Sequence, residues 1–231
     1  MTQERRLVAD RVDYEGEGIS EDQAPEAPWP LVEAWVAAAV LRQAEQGDVP
    51  EPNALSVATV DADGVPDVRT VLMKGLDPRG PYFLTSTGSA KGVQLRANPA
   101  VAASLTWPSM FRAIRFRGRA EELSREEVTA YFRTRPWSAR ISAHASAQSR
   151  PAPDRASLET AYQECAERFP DTGEPDAVPV PEHWGGYRIL ADRVEVWGGR
   201  RSRLHDRLVW ERVSAGGLDD PAAWRRSRLQ P

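Results

Sequence analysis

RTVLMKGLDPRGPYFLTSTGSAKG, residues 69–92, decides the fold. Two apolar runs, 69–74 and 81–86, flank the turn DPRG at 77–80, and a second turn, DADG at 61–64, separates them from another β-rich run that starts near residue 54. Short runs of β-branched and aromatic residues between Gly-, Pro- and Asp-containing turns are hairpin signals, so residues 54–107 read as an antiparallel β-meander. The loop TGSAKG at 87–92 then opens a short helix that ends near Asn98-Pro99.

Further along, Ile114, Phe116 and Gly118 alternate with Arg115, Arg117 and Arg119, which predicts a strand at 113–121 with one face packed and the other wet or ligand-bound. Ser124 and Glu127 form a capping-box signature for a helix running through Tyr131 and Phe132 to about Thr134, ended by Pro136. A helical stretch at 157–169 carries Leu158, Ala161, Tyr162 and Cys165 on one side, so the lone cysteine reads as part of a core stripe. After a Pro-rich connection at 170–181, three β-like runs follow near 187–190, 194–197 and 204–213. Upstream, Leu31, Val32, Trp35, Val36, Ala39 and Val40 recur at helical spacing from 31 to about 45, with Gly47 just past the end. Residues 1–28 are polar and acidic and read as a flexible arm before a single domain at 29–231. Strands in both halves with helices between them predict a mainly β, α+β fold: an antiparallel barrel with covering helices.

Composition narrows the function. A net charge of −4 and pI near 5.6 argue against a general nucleic-acid binder. One cysteine excludes an internal disulfide, the start MTQERRLVAD lacks the apolar core of a signal peptide, and no apolar run approaches the ~20 residues of a membrane span. These features set a cytoplasmic expectation. With one cysteine and three histidines, and His144 and His183 at unhelpful spacing, no zinc site is expected. There is no GxSxG elbow, Walker loop or GxGxxG after a strand. Of the 30 basic residues only Lys74 and Lys91 are lysines, which suggests positions where a compact ammonium serves better than a planar guanidinium.

Three segments point to anions. The helix start at 87–92 offers backbone N–H groups, with Ser89 and Lys91 adding a hydroxyl and a cation; a plain helix cap is the alternative. Arg69 and Lys74 bracket an apolar strand, on opposite faces unless a bulge resets the alternation; two solvated strand ends are the alternative. Arg203, His205 and Arg207 fall at i, i+2 and i+4, on one face if extended, where an anion would relieve their repulsion; a solvated edge strand would also accommodate them. Tyr131 and Arg135 share a helix face, and Gln148-Ser149 adds neutral polar groups.

Taken in order, RTVLMK (69–74), TGSAKG (87–92), YFRTRP (131–136), AQSR (147–150), HWGGYR (183–188) and RLHDR (203–207) resemble the pyridoxamine 5'-phosphate oxidase family from about residue 52 to 231. The resemblance implies an FMN-binding split β-barrel, a homodimer with one FMN per subunit in sites formed at the interface. By the same resemblance, Arg69, Thr70, Val71, Leu72, Lys74, Thr85, Ser89, Lys91, Gln148, Ser149, Trp197 and Arg207 match cofactor-binding positions. Lys74, Tyr131, Arg135, Arg203 and His205 match positions that hold the substrate and its phosphate, and Arg11 and Tyr14 match arm residues that fold over it. Arg203 and His205 are the catalytic candidates, in the sense of orienting and polarising the substrate. The family passes a hydride from the 4' carbon of pyridoxine or pyridoxamine 5'-phosphate to the flavin, which O2 reoxidises with release of H2O2; the flavin carries the redox chemistry. The partners implied are a small phosphorylated pyridine and O2, with no nucleic acid and no membrane.

The chain departs from the family's pattern at four positions. Leu84 stands where a Tyr is frequent, Ala90 where an Arg on the flavin phosphate is frequent, Ala113 where a flavin-contacting Gln is frequent, and Ala139 where a Ser helps hold the substrate phosphate. Two other readings share the fold: a flavin oxidase of another aromatic metabolite, like those of phenazine biosynthesis, and a flavin-binding protein without turnover.

Overall fold

Residues 13–16 and 18–231 are described by the computed structural model. The sheet is built of β1 (Ala54–Val60), β2 (Pro66–Asp77), β3 (Gly80–Ser86), β4 (Ala100–Trp107), β5 (Arg112–Glu122), β6 (Trp184–Gly198), β7 (Asp206–Arg212) and β8 (Trp224–Arg228), all paired antiparallel in the order β3-β2-β1-β4-β5-β6-β7-β8. A second pairing, β3 with β6, closes the first six strands into a barrel and leaves β7 and β8 as a flap on β6. Closure removes the exposed edges that an open six-stranded sheet would carry.

The alternation read from the sequence sets the core. Phe83, Leu55, Leu105, Ile114, Phe116, Ile189 and Trp210 are fully buried in one cluster, each contributing about 1.5–3 kcal/mol of burial. Helix α1 (Trp29–Gln46) covers this core through Val32, Trp35 and Ala39 and ends at Gly47, whose left-handed backbone (φ 71°) completes the predicted stop. Helices α3 (Arg125–Thr134), α4 (Trp137–Ala145) and α5 (Arg155–Arg168) form a satellite layer over a smaller cluster of Phe132, Ile141, Ala143 and Val178. The capping box of Ser124 and Glu127 is present in full.

Several expectations need correction. The runs near 187–190 and 194–197 are one strand, β6, joined through a bulge: Arg117 pairs with Arg193 but Gly118 pairs with Ala191, so Asp192 is the extra residue. Helix α4 was not anticipated; it follows Pro136 directly. The stripe on α5 is not core: no residue of α5 is buried, Leu158 is 48% exposed, and Tyr162 and Cys165 are only half-buried against the smaller cluster. Within the segment expected as an arm, Ile19, Ala24 and Ala27 are buried in the main core. Hydrogen bonds from Trp210 Nε1 to the Pro25 carbonyl (3.1 Å) and from Arg228 to the Ile19 carbonyl (2.6 Å) bind that segment to β7 and β8. Among the described residues no helix is long and apolar enough to cross a membrane.

The bulge generates a stability prediction. A Cβ at Gly118 would meet the Leu190 carbonyl oxygen at 2.0 Å and backbone atoms of Ala191 and Asp192 at 2.9 Å. Backbone cannot step aside as a flexible side chain can, so Gly118→Ala is expected to destabilise the fold by about 3 kcal/mol, read as a lower urea midpoint.

Candidate functional site

The turn after β3 feeds α2 (Ala90–Ala97), whose N-cap is Ser89 with its hydroxyl accepting from the Gly92 N–H. This local geometry folds the Lys91 side chain back into the barrel end. Its Nζ donates to Gln148 Oε1 (2.9 Å), Thr85 Oγ1 (3.3 Å) and Ser89 Oγ (3.4 Å), while Thr85 Oγ1 also donates to Gln148 Oε1 (2.9 Å). Four of the expected cofactor-binding residues therefore meet at one point, and Lys91 is 7% exposed there. Among the described residues no carboxylate pairs with it. Burial, and secondarily the positive charge of Arg69, push its pKa below the ordinary lysine value of 10.5.

Arg69 enters the same region from β2. It donates to Thr59 Oγ1 (2.6 Å), the Val57 carbonyl (3.2 Å), Gln94 Oε1 (3.0 Å) and Asp67 Oδ2 (2.5 Å). The alternation places Arg69 and Val71 half-buried and Thr70 and Leu72 outward. The open question about Lys74 is answered by a bulge: Met73 pairs with Phe83 but Gly75 with Tyr82, so the extra residue of β2 is Lys74 itself. Ser149 follows Gln148 in a left-handed conformation (φ 69°) and lines a cleft of about 370 Å³ with Gly88, Ala90 and Gln94.

Arg135 caps the C-terminus of α3, one turn beyond Tyr131. Its guanidinium lies over the Trp184 ring at 4.4 Å and over Phe132 at 5.6 Å, and burial lowers its pKa from the ordinary arginine value. Trp184 pairs with Ser86, next to Thr85, so this guanidinium sits at the same end of the barrel as Lys91.

The remaining candidates gather elsewhere. Trp197 stands between Ala113 of β5 and Arg207 of β7 in the strand register. His205 packs on Trp197 (4.8 Å) and Tyr14 (5.4 Å), and Tyr14 stacks on Phe111 (4.8 Å). The Arg200 backbone N–H donates to His205 Nδ1 (3.1 Å), so a ring holding this bond carries its proton on Nε2. Arg207 makes a two-pronged bond to Glu195 through Nε (2.9 Å) and an Nη (3.1 Å), and Glu195 is buried. The expected extended run of Arg203, His205 and Arg207 is corrected: Arg203 lies in a 3-10 turn, Arg201–Arg203, with Ser202 and Arg203 left-handed (φ 58° and 63°), and only Arg207 is in a strand. Arg203 is exposed, with no partner among the described residues. Arg11 lies outside the described residues.

Two half-sites result. Gly185, paired with Thr85, and Trp197 lie twelve residues apart on β6, a contour of about 40 Å. No hydrogen bond, ion pair or ring contact links the two groups among the described residues. Sequence reasoning missed Trp184 and the Glu195 partner of Arg207; only strand pairing brings either into place. Among the described residues no group of three or more His, Cys, Asp or Glu side chains could hold a metal.

A buried, unpaired ammonium opposes folding and favours an anion, which gives a two-sided prediction. Lys91→Met is expected to raise the stability of the ligand-free protein by about 1 kcal/mol while lowering its affinity for inorganic phosphate at least tenfold. In the parent, the unfolded chain binds this proton more tightly, so ligand-free stability rises with pH between the depressed pKa and 10.5, and phosphate affinity falls over the same window. Denaturation midpoints and phosphate titrations from neutral to alkaline pH check both signs.

Residues 41–169 match the family described as pyridoxamine 5'-phosphate oxidase, and residues 184–231 match the pyridoxine 5'-phosphate oxidase C-terminal dimerisation region. A pyridoxine/pyridoxamine 5'-phosphate oxidase of Kineococcus radiotolerans is 47% identical over 224 residues, covering 96% of this chain and 97% of that protein. The protein of the same name from Pseudomonas syringae pv. syringae is 46% identical over 221 residues, 96% of each chain. Among solved structures, PhzG of Burkholderia lata, in complex with tetrahydrophenazine-1-carboxylic acid, superposes with a TM-score of 0.79 at 28% identity, covering 94% of this chain and 99% of that one. A pyridoxamine 5'-phosphate oxidase-related, FMN binding protein of Nostoc punctiforme shares the fold, with a TM-score of 0.66 at 18% identity over 89% of this chain and 98% of that one. With both halves of the barrel matched and near-full-length identity above 40%, the chain belongs to the pyridoxamine 5'-phosphate oxidase family.

Proposed function

We propose that this protein is an FMN-dependent oxidase that converts pyridoxine or pyridoxamine 5'-phosphate to pyridoxal 5'-phosphate, reducing O2 to H2O2, and works as a homodimer. The observation that carries the reading is the buried Lys91 ammonium, ringed by Thr85, Ser89 and Gln148 and lacking a carboxylate among the described residues. That donor set fits the phosphate of a flavin mononucleotide, with Arg69 beside it. Bound there, the flavin supplies the electron sink for the reaction.

The protein's own residues bind and orient. Arg135, with Tyr131 one turn away, offers a desolvated cation to the substrate phosphate. Lys74, bulged out of register, can serve both ligands from the strand between them. His205, with its proton on Nε2, presents a donor to a ring substituent of the substrate, and the exposed Arg203 guanidinium adds a second. Tyr14 and Trp197 supply apolar surface that excludes water around them. Because the Lys91 and His205 groups lie at opposite ends of β6, a complete site calls for one group from each of two copies. The match of residues 184–231 to a dimerisation region supports that arrangement.

Purified, flavin-loaded protein is expected to consume O2 and form pyridoxal 5'-phosphate and peroxide from pyridoxine 5'-phosphate. Flavin binding without turnover would reassign the substrate, and failure to bind flavin would overturn the reading. Arg203→Ala is expected to lower turnover at least tenfold while flavin content is kept. Arg207→Ala should lose flavin and also about 1–3 kcal/mol of stability, because Glu195 is left buried with only Arg115, 3.6 Å away, in partial compensation. Equal flavin loss in both variants, measured by absorbance after gel filtration, contradicts this division of roles.

A further inference from the structure

Beside the Arg135 guanidinium lies a second donor, in the HWGGYR segment, to which no ligand has yet been assigned. Three buried side-chain nitrogens among the described residues lack any hydrogen-bond partner: Arg135 Nη1, Trp184 Nε1 and Arg140 Nε. Arg140 is otherwise held by its bonds to the Glu174 and Pro175 carbonyls (3.3 and 2.5 Å). Arg135 and Trp184 are different, because they touch one another: the guanidinium carbon is 4.4 Å from the centre of the Trp184 ring.

An indole N–H and a guanidinium are both donors only, so neither can satisfy the other. Each orphaned donor sheltered from water costs about 1–3 kcal/mol, and no acceptor among the described residues reaches them. The shared solution is an external acceptor with several oxygens and negative charge, seated beside these two touching side chains. Phosphate monoesters have that character, with three terminal oxygens and charge to match the guanidinium fork.

The backbone supports the placement. Trp184 opens β6 opposite Ser86, one residue from Thr85, and its carbonyl accepts from Arg125 Nη1 (3.0 Å) at the first turn of α3. Phe132 packs edge-on to the same ring at 6.2 Å. The indole is therefore fixed between β6 and α3, the helix that carries Tyr131 and ends at Arg135. At Ala139, where the family's pattern often has a serine on the substrate phosphate, the hydroxyl is missing, although Ser138 is adjacent.

We infer that Trp184 is a substrate-binding residue, donating its indole N–H to the phosphate that Arg135 holds and so setting the preference for a phosphorylated substrate. The inference rests on the proposed function, in which that phosphate belongs to the pyridine substrate. Trp184→Phe keeps an aromatic ring against Arg135 and Phe132 and removes only the N–H. Calorimetric titration of the flavin-loaded protein with pyridoxal 5'-phosphate and with pyridoxal separates the possibilities. The expected result is about tenfold weaker binding of the phosphorylated ligand by W184F and unchanged binding of pyridoxal, with flavin content retained. If the parent prefers the phosphorylated ligand and W184F keeps the whole preference, the assignment to Trp184 is overturned while the proposed function stands. If the parent shows no preference, the phosphate-bearing substrate itself is overturned, and this inference with it. Should W184F fail to fold, the parent labelled with 15N-tryptophan gives the same answer. An indole N–H signal that Arg135→Lys also perturbs should move downfield with pyridoxal 5'-phosphate but not with pyridoxal, and an unmoved signal overturns the assignment.

Discussion

Strand β6 has to satisfy three neighbours at once, and the rest of the molecule follows from how it does so. Its first residues pair with β3 and close the barrel, residues 187–198 pair with β5 around the bulge, and its last residues pair with β7 and carry the flap. A regular strand of fifteen residues would run straight past the barrel. The extra residue Asp192, facing Gly118, bends it between its two tasks. Pairing with β3 puts Trp184 beside the Lys91 cluster, and pairing with β7 sets Trp197 next to Arg207.

The treatment of charge inside the fold separates scaffold from site. Arg188, 2% exposed, donates to Asp77 Oδ2 (2.9 Å), the Gly80 carbonyl (2.9 Å) and Glu127 Oε1 (3.4 Å), locking the β2–β3 turn to the start of α3. Glu195 is held by Arg207 and Arg115. These ions have their counter-ions within the chain, as buried charges require. Among the described residues neither Lys91 nor Arg135 has a carboxylate in ion-pair contact, and each has its pKa pulled down by burial. A desolvated cation left without a carboxylate favours an anion beside it.

Much of this was legible in the sequence. Alternation in 113–121 and the turns at 61–64 and 77–80 report burial on one face, a local property that survives folding. The capping box at Ser124 is local as well, and so is the Gly47 stop. What escaped depends on distant partners or on rare backbone. The polar Asp192-Arg193 looked like a break because a bulge has no composition signal of its own. Arg203 and His205 were spaced as on a strand, yet Ser202 and Arg203 turn left-handed without a glycine to announce it. Helix α4 is short and follows a proline, and Trp184 gains its meaning only from its register against Ser86.

The separation of the Lys91 and His205 groups along β6 bears on inheritance as much as on chemistry. When each site draws one group from each of two copies, a lesion in the first group and a lesion in the second need not add up when they sit on different subunits. A mixed pair gathers both faults into one cavity and leaves the other whole. Two alleles that are each inactive alone could then support growth together, whereas two lesions in the same group could not. Genetic complementation would thus sort this protein's residues into the two ends of a single strand.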